Sequence, residues 1–117
     1  MKYDVIIIGA GPGGIFSAYE LTHKNKDLKI AVYEAGQPLQ KRRCPIDGEK
    51  VKSCIKCKTC AIMSGFGGAG AFSDGKYNIT NNFGGTLHEH IGGKKAIELM
   101  KYVDEINVSH GGEGTKM

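Results

Sequence analysis

The stretch that most constrains this chain is Asp4 to Leu21, "DVIIIGAGPGGIFSAYEL". A β-branched run meets four glycines and a proline and then takes up helical spacing. Tyr3 to Ile8 carries no polar residue after Asp4, the pattern of a strand buried on both faces, as in a parallel sheet. From Gly13 to Asn25 the residues Ile15, Phe16, Ala18, Tyr19 and Leu21 recur at helical intervals, and Lys24 to Asp27 close the segment. Leu28 to Glu34, "LKIAVYE", alternates as a second strand. Strand, helix and strand within 34 residues form one βαβ unit, for which a right-handed crossover is expected.

Within that unit Gly9, Gly11 and Gly14 fit the spacing G-x-G-x-x-G, which is weak evidence alone and stronger in this context. The loop follows a buried strand and opens a helix, and Glu34 stands at the end of the next strand, 20 residues beyond Gly14. Gly9 permits a tight turn, Gly11 lets a pyrophosphate approach the main chain, and Gly14 lets helix and strand pack closely. Pro12 fits the first helical turn, where its missing N–H has no intrahelical partner to lose. The helix start then presents unpaired N–H groups and a partial positive charge to the phosphates. Glu34 suits the two hydroxyls of an adenosine ribose and repels a 2′-phosphate, which favours FAD or NAD over NADP. The alternative is a ligand-free strand-to-helix turn with a solvated glutamate.

The remaining sequence is less periodic. Glycine reaches 18 of 117 residues, where average usage gives about eight. The excess falls in blocks near Gly9, Gly65 to Gly75, Gly84 to Gly93 and Gly111 to Gly114, without a repeating unit. Residues 37–75 read as a basic, cysteine- and glycine-rich loop, long for a self-sufficient domain. Residues 76–117 read as a strand, "KYNIT", Lys76 to Thr80, a turn at "NNFGG", a helix over Lys94 to Ile106, and terminal loop chemistry. The expected class is thus α/β, a Rossmann-like FAD/NAD(P)-binding βαβ unit with a long Gly- and Cys-rich loop region. The open strand edges of so small a sheet lead to an expectation of self-association.

The net charge of +4 arises largely between positions 41 and 58, where seven lysines and arginines crowd together. Such a patch suits phosphate or acidic partners, but no aromatic residue interleaves it as a base-stacking platform, which argues against nucleic acid. The longest pure apolar run, Val5 to Ile8, is too short to cross a bilayer, and no secretion signal is recognisable, so a soluble cytoplasmic protein is expected.

Cys44, Cys54, Cys57 and Cys60 give C-x9-C-x2-C-x2-C. In a cytosolic chain clustered cysteines point to metal or redox work before disulfides. Four thiolates suffice for zinc or a [4Fe-4S] cluster, although the fourth cysteine of a ferredoxin run is absent and Cys44 would have to close the site. Neighbouring lysines favour thiolates, which serves redox-active thiols equally well. A third reading gives these thiols no special task. His23, His88, His90 and His110 are scattered, though His88 and His90 lie where a loop could bring them to a ligand.

Together, "GAGPGG", "YEAGQPLQKRRCP", "CIKCKTC" and "GFGGAGAFSDGK" resemble the amino-terminal part of FAD-dependent oxidoreductases, specifically a group of largely uncharacterised bacterial FAD-dependent dehydrogenases. The group usually has Ala at the place of Gly13. The resemblance implies FAD, with Gly9, Gly11, Pro12, Gly13 and Gly14 at the pyrophosphate and Glu34 at the ribose. It places Gly67, Gly68, Ala69, Gly70 and Ser73 at the flavin end and offers Arg42 or Arg43 to a phosphate. It also implies hydride or electron transfer with a small-molecule substrate or acceptor that no residue here identifies, and no catalytic acid or base is nameable. Relatives of this kind are much longer, so the resemblance implies an amino-terminal part, incomplete as a full flavin domain. Two other functions remain: a dinucleotide-binding module without turnover, and a small protein in which the cysteines hold a metal or act as redox thiols.

Overall fold

A computed structural model describes residues 1–73, 75–82 and 84–114. The chain divides into two compact units, Met1–Phe72 and Ser73–Met117.

The first unit begins with strand β1, Val5–Ile8, runs through helix α1, Pro12–Lys24, and returns in strand β2, Ile30–Tyr33. The strands are parallel, with Val5 opposite Ile30 and Ile8 opposite Tyr33. Asp4 sets the register at the open end: its main-chain N–H donates to the Lys29 carbonyl at 2.9 Å, and its carboxylate accepts the Lys29 N–H at 2.9 Å. At the other end the Gly9 N–H donates to the Tyr33 carbonyl at 2.6 Å. The first unit is therefore α/β, and its order of elements is compatible with a Rossmann-like βαβ unit.

The expectation that β1 is buried on both faces is not met. Val5 and Ile7 are half-buried, while Ile6 and Ile8 are 59% and 80% exposed. The physical reason lies in what packs against the sheet: α1 comes down on the Ile7 side, where Gly14 faces the Ile7 side chain. A continuous apolar run cannot reveal how many of its faces are covered.

Beyond β2 the first unit is held by turns. One turn of 3₁₀-helix spans Leu39–Lys41 and another Ala69–Phe72. Asp47 organises residues 47–51 by accepting the N–H groups of Glu49, Lys50 and Val51 on one oxygen, at 2.8 to 2.9 Å.

In the second unit the expected strand at Lys76 to Thr80 is absent. The alternation is real, with Tyr77 and Ile79 half-buried and Lys76 and Asn78 exposed, but no strand among the described residues pairs with the segment. The turn expected at "NNFGG" forms at Asn81 and Asn82, while Phe83 lies outside the described residues. Helix α2, Leu87–Ile91, was not anticipated and carries His88 and His90 in a helix rather than a loop. Helix α3, Gly93–Ser109, outlasts the expected Ile106 by three residues. It ends where the Gly111 N–H donates to Val108 and the Gly112 N–H to Asn107, a turn that Gly111 enters at φ +97°. The fully buried Ala96 marks its packed face. No described helix is long and apolar enough to cross a membrane.

Candidate functional site

The glycine loop joins the carboxyl end of β1 to the amino end of α1, the place where open α/β sheets hold their ligands. Gly9 adopts φ +98°, which a residue with a Cβ rarely takes. A Cβ on Gly14 would run into the Gly9 carbonyl and stand 3.3 Å from the Ile7 side chain, so this glycine is what lets α1 approach β1. A Cβ on Gly11 or Gly13 would meet nothing within 4 Å. Space for packing is thus absent at Gly14 and open above Gly11. Pro12 occupies the first helical turn, and the Ile15 N–H already closes on the Gly11 carbonyl at 3.0 Å. The N–H groups of Gly13 and Gly14 precede that first closure and have no intrahelical acceptor.

Glu34 is joined to this loop. One carboxylate oxygen accepts the Ala10 N–H at 2.7 Å and the other accepts the Gly36 N–H at 2.8 Å. The Ala10 bond is the chief reason the Glu34 carboxyl is held below its ordinary value, followed by the Gly36 bond, with the Arg42 charge assisting. The Gly65 N–H also acts on it, so the carboxylate braces the loop and, with four lone pairs in all, retains accepting capacity for a hydroxyl.

The second glycine block lies against the first. The Gly67 N–H donates to the Ala10 carbonyl at 2.8 Å, and a Cβ on Gly68 would come within 3.1 Å of Gly11 and 3.2 Å of Pro12. Gly70 is near the Pro12 ring, where a Cβ would be 3.9 Å away, and Ala69 opens the adjoining 3₁₀ turn. Ser73 belongs to the second unit, and its hydroxyl accepts the Gly75 N–H at 3.1 Å.

Arg42 holds these pieces together. Its side chain, only 4% exposed, donates to four main-chain carbonyls: Nε to Ala61 at 2.8 Å, one terminal nitrogen to Phe66 and Gly68 at 2.7 and 2.8 Å, the other to Ile62 at 2.7 Å. The guanidinium also lies 4.7 Å from the centre of the Phe72 ring. A residue offered to a phosphate by its basic neighbourhood is thus committed to the backbone. Arg43 is exposed.

A cleft of about 590 Å³ opens at this junction. Gly11, Glu34 and Ala35 line it from the βαβ unit, Gly65 and Gly68 from the second glycine block, and Cys57 to Cys60 from the basic loop. Sequence reasoning did not anticipate that last contribution. The four cysteines do not converge: all are free, Cys44, Cys54 and Cys57 are exposed, Cys60 is half-buried, and only Cys57 and Cys60 line the cleft. Among the described residues no three His, Cys, Asp or Glu side chains gather in a way that could hold a metal ion. The donor set for zinc or an iron–sulfur cluster is therefore not assembled here.

No protein-family model matches the chain. Among curated proteins it is 38% identical over 76 residues to an uncharacterised protein of Clostridium beijerinckii, which covers 65% of this chain and 14% of that one. Over 33 residues, 28% of the chain, it is 61% identical to a thiamine thiazole synthase of Phaeosphaeria nodorum and 58% identical to one of Yarrowia lipolytica. The chain spans 14% of the length of the first of these relatives and 10% of the other two. No solved structure matches it.

Proposed function

We propose that this chain carries the dinucleotide grip of a flavin-dependent oxidoreductase, with FAD as its ligand and NAD as the alternative. The observation that carries this reading is the shared cleft of Gly11 and Glu34, in which one side offers bare backbone and the other a carboxylate. The residues fit the group. A pyrophosphate needs close approach to the main chain, and the space over Gly11 is open. The helix start supplies N–H donors and a partial positive charge. Glu34 supplies acceptors for ribose hydroxyls and disfavours a 2′-phosphate. Short likeness to enzymes whose name is thiamine thiazole synthase agrees with a grip shared among enzymes but does not transfer their reaction.

Bound flavin would supply hydride or electron transfer; the chain's own part is to bind and orient. Gly11 and the amides of Gly13 and Gly14 would hold the pyrophosphate and Glu34 the ribose. Gly67 to Gly70, packed on Gly11 and Pro12, would limit where the rest of the ligand runs.

The test is Gly11→Ala. Because a Cβ there meets nothing within 4 Å, the fold should persist by circular dichroism. FAD binding, followed by flavin fluorescence, should weaken about tenfold or more. Unchanged affinity, or no binding of FAD or NAD by the unaltered protein, would overturn the reading. NADP should bind more weakly than NAD.

A further inference from the structure

The four cysteines share a basic loop, yet only Cys57 and Cys60 reach the cleft. Their segment is fixed there. The Cys60 carbonyl accepts the Ser64 N–H at 2.8 Å and the Met63 N–H at 3.2 Å. The next two carbonyls, of Ala61 and Ile62, are held by Arg42. Between the two cysteines Lys58 and Thr59 also line the cleft, and Lys58 is the single cation among its lining residues. Glu34 and Gly11, the proposed ribose and pyrophosphate partners, border the same volume.

We infer that Cys57 and Cys60 make this cleft addressable through its thiols. An adenine dinucleotide seated on Gly11 and Glu34 shields both sulfurs from electrophiles, and an adduct on either sulfur takes up room that the ligand needs. Binding and thiol modification then exclude one another. The inference rests on the dinucleotide reading of the cleft and adds a modification site to it. The adjacent Lys58 ammonium sets a positive charge beside a ligand that carries two phosphates. Cys57 and Cys60 border the same volume as the carboxylate proposed for the ribose, so their place in the cleft suits control of access.

N-ethylmaleimide is a suitable probe. The thiolate sulfur bonds to one alkene carbon of the maleimide, the other alkene carbon takes a proton from water, and no group leaves. The full chain is first titrated with FAD and with NAD, then labelled with limiting reagent in the presence and absence of the dinucleotide that binds, and each cysteine is quantified by peptide mass spectrometry. With ligand at ten times its Kd, labelling of Cys57 and Cys60 should slow about tenfold, since only the free fraction reacts. Cys44 and Cys54, outside the lining, should label at unchanged rates. Protein labelled beforehand should lose about tenfold or more in affinity. The Cys57→Ser, Cys60→Ser double variant should keep the same affinity before and after exposure to the reagent.

Equal labelling of all four cysteines with and without a bound dinucleotide would overturn the inference while leaving the dinucleotide reading intact. Resistance of all four cysteines in the absence of any dinucleotide, the pattern of a shared metal, would also overturn it. Failure of both FAD and NAD to bind the unlabelled protein removes the dinucleotide reading itself, and the inference with it.

Discussion

Arg42 illustrates how a single residue can take a role its neighbourhood does not announce. In "QKRRCP" it has the same setting as Arg43, and a basic loop suggests phosphate. Its carbonyl partners lie 19 to 26 positions away in sequence, so no local pattern could have shown them. Glu34 is the opposite case: its distance from the glycine loop and its place at a strand end made it legible, and the structure adds that it grips the loop through the Ala10 N–H. A planar fork with donors to four carbonyls is not replaceable by a point charge. Arg42→Ala should cost about 2 kcal/mol or more, because it strips donors from four part-buried carbonyls and removes the contact with Phe72. Arg42→Lys should recover less than half of that. Urea denaturation monitored by circular dichroism measures both; a loss under about 0.5 kcal/mol in the alanine variant would show the guanidinium to be an ordinary surface group.

At the level of elements, the βαβ unit was readable because three signals coincide: a β-branched run, glycines at fixed spacing, and a helical apolar pattern. The helix over Lys94 to Ile106 was readable for the last reason alone. Lys76 to Thr80 forms no strand because alternation reports an extended chain with one face turned inward, whereas a strand also needs a neighbour to complete its ladder. β1 is less buried than its apolar run suggests for a related reason, since hydrophobicity does not count covering layers. Two adjacent glycines allow a sharp test of the glycine-loop argument. Gly13 lies in α1 with open space around its missing Cβ, so Gly13→Ala should stabilise by about 0.5–1 kcal/mol through helix propensity. Gly14→Ala drives a methyl into the Gly9 carbonyl and the Ile7 side chain, and should destabilise by about 1–3 kcal/mol. Thermal melts of the two variants should move in opposite directions; movement in the same direction would mean that α1 and β1 are not packed through Gly14.

For the whole molecule, acid stability follows from two carboxylates whose protonation the fold opposes. Glu34 is depressed from its ordinary 4.5 chiefly by the Ala10 N–H and then the Gly36 N–H. Asp47 is depressed from its ordinary 3.8 by the N–H groups of Val51, Glu49 and Lys50. A carboxylate lowered in the folded state binds fewer protons than in the unfolded chain. Its stabilisation is therefore complete above the unfolded value and is lost as pH falls through the lowered folded value. The chain's formal charge of +4 becomes more positive over the same range, so repulsion acts in the same direction. The urea midpoint should accordingly hold steady from pH 7 to about 5 and then fall. Glu34→Gln cannot accept both N–H groups through charged oxygens, and Asp47→Asn weakens the three-donor turn. Each should lower the midpoint at pH 7 and flatten its fall below pH 5, and the double variant should be flattest. The gap between the unaltered protein and each variant should close as the medium is acidified. A gap that stays constant down to pH 3 would assign the loss to altered packing and remove the two carboxylates as the source of the acid limb.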